Sequence, residues 1–296
     1  MYLLLLRVSV ASIFFIACLF SQFSNANPAL FKLEKNGITS YLFGTVHVGT
    51  PDMKALPKNV MQAIEASEKV VVEVDLETLS PMQVQKVSKS YMQLPKGKTL
   101  ADMISLENYQ KLKNYFAQVG INITHFSSHR PWAVMITLLQ LEYQKLGFSE
   151  QYGIDKQVLA YASKKHKKVL GLETLEQQLT MLSSLEALNN EMFNETFKHL
   201  NDIEFYFVDL VTAWKTGDMD KLSHYYQLSF DDSKYGQFSE QVMLTSRNNQ
   251  WVQTLTPLLT QQSLFIAVGA LHLPEQYGLI NQFKKVGFKV TNLSSG

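Results

Sequence analysis

The sequence predicts an α/β fold, on two observations. Short apolar runs rich in β-branched residues alternate with helical patterns at both ends of the chain, and the stretch between them is mostly helical. A strand-end motif also occurs twice, far apart in the chain. The expected architecture is therefore two related β-α halves that bring strand ends together at one site, with a large, mostly helical middle insertion.

Met1 to Ala26 contains one basic residue, Arg7, no acidic residue, and an apolar run from Val8 to Phe20 that ends in small and polar residues. This is the pattern of a secretory signal peptide, and the run is shorter than the roughly 20 residues needed to span a bilayer. The expected mature protein is exported, periplasmic or secreted, with no stable membrane span. The absence of a Pro-rich or Gly/Ser-rich linker makes residues 27–296 one expected domain.

Ser40 to Phe43, Val70 to Val74, Lys168 to Leu172, Leu264 to Val268 and Phe288 to Thr291 read as strands. Pro57 opens a helix, and Ser80-Pro81 caps and opens the next. Leu106 to Val119 stops at Gly120 and Pro131 to Leu146 at Gly147, the positions where a left-handed residue is needed. Thr174 with Gln177 forms a capping-box start for a helix running through Leu188. Helical patterns then fill Asn190 to Lys215 and Ser239 to Gln261, and Pro274 opens a last helix that stops at Gly287.

Lys plus Arg total 27 against 26 Asp plus Glu, a formal net charge of +1 that gives no electrostatic case for nucleic acid. Cys18 is the only cysteine, so no disulfide or thiolate metal cluster can form within the chain, and any metal must use His and carboxylate. Gly-x-Ser-x-Gly, His-Glu-x-x-His and dinucleotide-binding glycine patterns are all missing from the sequence.

Two segments share one pattern: Gly44-Thr45-Val46-His47 and Gly269-Ala270-Leu271-His272 each follow an apolar run. Glycine there permits a tight turn or close backbone approach, which delivers the histidine to the strand's carboxyl edge, where α/β sheets bind ligands. Glu73 and Glu173 form a second pair, each at or near the end of an apolar strand. Two imidazoles with one or two carboxylates suit a divalent ion, Zn²⁺ or Mn²⁺/Co²⁺, and a spare Glu could take a proton from bound water. Which Glu is ligand and which is base stays open. Each residue also has a plainer reading: Glu73 as a solvated strand end, and Glu173 as a charge favouring the helix dipole. Arg247-Asn248-Asn249 interrupts a helical pattern, and Arg247 could hold an oxyanion or simply lie at the surface. Asp155, after Tyr152-Gly153-Ile154, reads most simply as a helix cap. The Lys164 to Lys168 cluster reads as a solvated helix end.

Leu42–Val48, Val72–Asp75, Tyr152–Asp155, Gly171–Thr174, Trp214–Asp218, Arg247-Asn248 and Val268–Leu273 resemble the TraB/GumN family, in that family's order, over about Phe31 to Val290. The resemblance implies a relation to the Tiki metal-dependent peptidases and, more distantly, to erythromycin esterases and a haem-binding lipoprotein family. It implies that His47 and His272 are metal or catalytic histidines, Glu73 and Glu173 paired acidic residues, and Arg247 a polar site residue from a late helix. The expected function is metal-dependent hydrolysis of a peptide or protein substrate. The alternative is a non-catalytic protein that captures a peptide or haem in the same cleft.

Overall fold

In the computed structural model, residues 27–294 are described. The expected signal peptide, Met1 to Ala26 with Cys18, lies outside the described residues. Six strands form one mixed sheet: β1 (Leu30–Lys35), β2 (Ile38–Thr45), β3 (Lys69–Val74), β4 (Lys168–Glu173), β5 (Leu264–Gly269) and β6 (Lys289–Asn292), in the order β4-β3-β5-β2-β1-β6. The first four strands in that order run parallel, while β1 is antiparallel to both its neighbours. β5 lies between β2 and β3, and its Leu264, Phe265, Ile266 and Val268 are wholly buried. A strand covered on both faces reads as a continuous apolar run, which is why this one was legible.

All five expected strands form. β1 is an addition: Leu30 and Leu33 are buried, but Lys32, Glu34 and Lys35 break up the apolar run. It is joined to β2 through Asn36-Gly37, whose φ values of 53° and 79° are those of a type I′ hairpin turn.

After β2 comes α1 (Lys58–Ala66). Between β3 and β4 lie α2 (Pro81–Met92), α3 (Leu100–Met103), α4 (Leu106–Gln118), α5 (Pro131–Lys145) and α6 (Ile154–Lys164). Between β4 and β5 lie α7 (Leu175–Ser184), α8 (Asn189–His199), α9 (Ile203–Thr216), α10 (Met219–Ser229), α11 (Lys234–Glu240) and α12 (Ser246–Leu259), and α13 (Leu279–Lys285) precedes β6. Capping boxes at Ser80 and Thr174 open α2 and α7 as the sequence indicates. The pattern from Asn190 to Lys215 breaks at the 3-10 turn Leu200–Asp202. Pro274 opens no helix: Glu275 takes a φ of 69°, and α13 starts only after Gly278.

Two hydrophobic cores result. One gathers both faces of the sheet with residues of α1, α6, α9, α12 and α13; Trp214, Trp251 and Phe43 are among its largest members. The other, around Leu112, Phe116, Trp132 and Phe193, holds the inserted helices together. No helix among the described residues is long and apolar enough to cross a membrane.

Candidate active site at the carboxyl edge of the sheet

The sheet order places the candidate side chains side by side. Glu173 ends β4, Glu73 lies next to the last residue of β3, and His272 and His47 stand three and two residues beyond the ends of β5 and β2. All four therefore leave the same carboxyl edge of four parallel strands. The two Gly-x-x-His segments are in contact: a Cβ on Gly44 would sit 2.9 Å from Leu273 Cδ1 and 3.1 Å from Ala270 Cα. Glycine is needed there for close packing of the second histidine loop over β2, not for a turn. Trp214 Nε1 donates to the Gly44 carbonyl at 2.7 Å and fixes the same spot from α9.

The His47 loop is held by the segment that leads into α6. Gly49 and Ser149 exchange backbone hydrogen bonds of 3.0 and 2.9 Å, and Ile154 N–H donates to the Val46 carbonyl at 2.9 Å. Gly153 packs so closely on the His47 carbonyl that any Cβ would overlap it. Asp155 caps no helix. It accepts a hydrogen bond from Thr45 Oγ1 and holds His47 Nδ1 at 2.8 Å. The His47 side chain is 74% exposed.

Arg247 is the centre of the buried part of the site. Its Nε and Nη2 donate to Glu173 Oε1 and Oε2 at 2.8 and 2.9 Å, a bidentate pair. Nη2 also donates to Glu73 Oε2 at 2.6 Å, and Nη1 donates to the Met243 carbonyl at 2.9 Å and reaches His272 Nε2 at 3.1 Å. The guanidinium carbon lies 4.6 Å from the centre of the Trp251 ring, whose Nε1 donates to Glu173 Oε1 at 3.1 Å. Arg247 does not interrupt its helix. A single wide π turn, Gln241–Thr245, joins α11 to α12 and immediately precedes it, a local distortion that recurs at functional sites.

Glu73 is satisfied from three sides: besides Arg247, Gly269 N–H donates to Oε1 at 2.7 Å and Gln178 Nε2 to Oε2 at 3.0 Å. His272 is buried, with Nδ1 2.6 Å from Asn248 Oδ1. Since that oxygen can only accept, Nδ1 carries the proton and Nε2 is left with its lone pair. Asn248 is fixed in turn by donating to the Tyr277 carbonyl at 2.9 Å.

Protonation follows from these contacts. Burial pushes His272 down to about 3, with Arg247 and His47 acting in the same direction against the pull of Glu73, so its imidazole is neutral at physiological pH. Burial alone would raise the Glu73 carboxyl. The His272 charge, which that imidazole carries only at the low pH where the carboxyl titrates, together with Arg247, His47 and the Gly269 N–H outweighs it and holds the group at about 2. His47 is raised to about 9, chiefly by the Asp155 charge and hydrogen bond against desolvation, and it also feels Glu73 and Arg247.

Among the described residues no three His, Cys, Asp or Glu side chains are grouped as a ready-made ion cage. The donor chemistry nonetheless suits a divalent ion. Each histidine has its Nδ1 anchored to a side-chain oxygen in the manner of metal-binding imidazoles, and Glu73 Oε1 lies 3.8 Å from His272 Nε2; to take an ion, His272 Nε2 would give up its contact with Arg247 Nη1, and His47, cationic at neutral pH, would release a proton. Glu173 is the least available donor because Arg247 and Trp251 engage both its oxygens. Asp155, Asn248, Gln178 and Trp251 were not singled out from the sequence as site residues. Their partners lie between 24 and 110 positions away, so local pattern carried no signal for them.

A model of the TraB/PrgY/gumN family matches residues 29–292. The chain belongs to this family. The uncharacterized protein YbaP of Escherichia coli (strain K12) is 28% identical over 233 residues, covering 79% of this chain and 83% of that protein. The metalloprotease TIKI homolog of Nematostella vectensis is 22% identical over 311 residues, covering 87% of this chain and 65% of that one. The metalloprotease TIKI2 of Xenopus tropicalis is also 22% identical, with 87% of this chain matched to 58% of that protein. The chain thus spans about three-fifths of the metalloproteases it matches. No solved structure matches it.

Proposed function

We propose that the chain is an exported metal-dependent hydrolase that cleaves peptide bonds at the carboxyl edge of its sheet. The observation that supports this most strongly is the meeting of Glu73, Glu173, Arg247 and His272 in one hydrogen-bonded group, with His47 on the neighbouring strand. His47 and His272 would offer Nε2 atoms to the ion and Glu73 a carboxylate. A bound divalent ion supplies a water whose pKa falls toward about 7, which is the nucleophile hydrolysis needs.

Around it, the chain's own groups have separable tasks. Asn248 and Asp155 set the direction of the two imidazoles. Glu173 clamps Arg247, all five of whose N–H donors are engaged in this arrangement; with His272 Nε2 on an ion, the Nη1 donor that it now engages would be released toward a carbonyl oxygen gaining negative charge. Glu73, anionic at neutral pH, would be the carboxylate that holds the ion with His272 or that accepts a proton.

Metal analysis of the purified mature protein beside a His47→Ala, His272→Ala double variant tests the centre. The expected outcome is loss of bound metal and of peptide cleavage in the variant; equal metal content in both defeats the proposal. Glu73→Gln then separates its two roles. Loss of metal marks a ligand, whereas retained metal with turnover lowered by about 10²-fold or more marks a base. Retained binding of peptide or haem by a metal-free protein without turnover would support sequestration instead.

A further inference from the structure

We infer that the free edge of β4 binds the substrate as an added β-strand, in an extended conformation that runs toward the site. This rests on the peptidase reading above. β4 is the outermost strand on its side of the sheet, and apart from its ladder with β3 its backbone makes no hydrogen bond to the rest of the described chain. An exposed, unpaired edge is a template for pairing with another extended segment.

Three features select the occupant. A cavity of about 370 Å³ opens beside the edge, walled by Val74, Leu79, Leu170 and Leu175, and Glu173 lines it as well as belonging to the Arg247 group. Leu170, at mid-strand, is 37% exposed. The opposite end of the strand is basic. Lys165 pairs with Glu65 and Lys167 donates to the Glu65 and Ser67 carbonyls, but Lys164 and Lys168 have no ion-pair partner among the described residues. Five residue steps at ~3.3 Å separate Lys168 from Glu173, roughly 17 Å along the strand. Lys168 and Leu170 lie on one face of the strand, so the peptide that fits has an apolar side chain seated in the cavity and, on the same face, an acidic residue about four positions away.

The probe is a set of fluorescence-quenched peptides with one leucine and an aspartate or a lysine four residues from it, together with versions N-methylated at alternate backbone positions away from the cleaved bond. With wild-type protein, N-methylation on the paired side is expected to raise KM at least tenfold with kcat unchanged. Lys168→Glu is expected to raise KM about fivefold for the aspartate peptide and not for the lysine peptide. Hydrogen exchange of the Glu73→Gln protein, saturated with the aspartate peptide, is expected to show new protection at residues 168–173. Cleavage with equal KM for N-methylated and parent peptides and unprotected β4 amides overturns edge binding while leaving the hydrolase intact. Absence of both binding and cleavage across the set overturns the peptidase reading, and edge binding with it.

Discussion

Replacing Arg247 with methionine keeps most of the side-chain length and removes the charge. Arg247, Glu73 and Glu173 are only 11%, 12% and 10% exposed, so the variant leaves two buried carboxylates without their shared cation. Stranding one partner of a buried ion pair costs about 3–5 kcal/mol. Glu73 is held at about 2 against its ordinary 4.5, worth about 3 kcal/mol in all, a depression to which His272 contributes most and Arg247 next. The sign is that of a depressed carboxylate. Its stabilisation is complete above pH 4.5 and is lost as the pH falls toward 2, with more than half gone by pH 3. Urea unfolding of both proteins, followed by tryptophan fluorescence, should therefore show the variant about 3 kcal/mol less stable at pH 7, with a gap that narrows between pH 4.5 and 3. Trp251, which the guanidinium covers, makes the signal sensitive to this region. A gap below about 1 kcal/mol at pH 7, or one of constant size down to pH 3, would refute the reasoning, because the clamp would then not be holding the carboxylates charged.

Asp155→Asn removes the charge beside His47 while keeping a side chain of the same shape. The His47 titration, followed by NMR in metal-free protein, is expected to move from about 9 toward 6.5, and an unmoved midpoint would show that Asp155 does not govern it. In the wild type the raised value means that this pair stabilises the fold below pH 6.5, an effect lost as the pH rises through 9. Gly153→Ala places a Cβ against the His47 carbonyl and should cost about 1–3 kcal/mol in urea unfolding while also shifting the His47 resonance. Unchanged stability and resonance together would mean that the loop is not held there.

The sheet was largely legible because β3 and β5 are buried on both faces and leave unbroken apolar runs. β1 escaped because charged residues interrupt it, although Asn36-Gly37 was a strong hairpin signal in the same stretch. The repeated Gly-x-x-His pattern located both histidines at one sheet edge, and of the two uses expected for its glycine Gly44 serves close backbone approach rather than a turn. Asp155 shows where local reading ends. An Asp at a helix start has an adequate explanation as a cap, while its real partners, Thr45 and His47, are 110 and 108 positions earlier. Likewise nothing near Arg247 indicates that it bridges carboxylates 174 and 74 positions away. The wide turn before it is invisible because its residues still read as a helix.

The central position of β5 has a consequence for how the protein is made. Synthesis proceeds from the N-terminus, so β2 and β3 emerge long before residues 264–269, the strand that must slot between them. Until then each waits with an open flank, Glu73 lacks the Gly269 amide, and the first histidine lacks its counterpart. A nascent or prematurely stopped chain thus lacks the assembled carboxyl-edge group, which closes only when nearly the whole polypeptide is present.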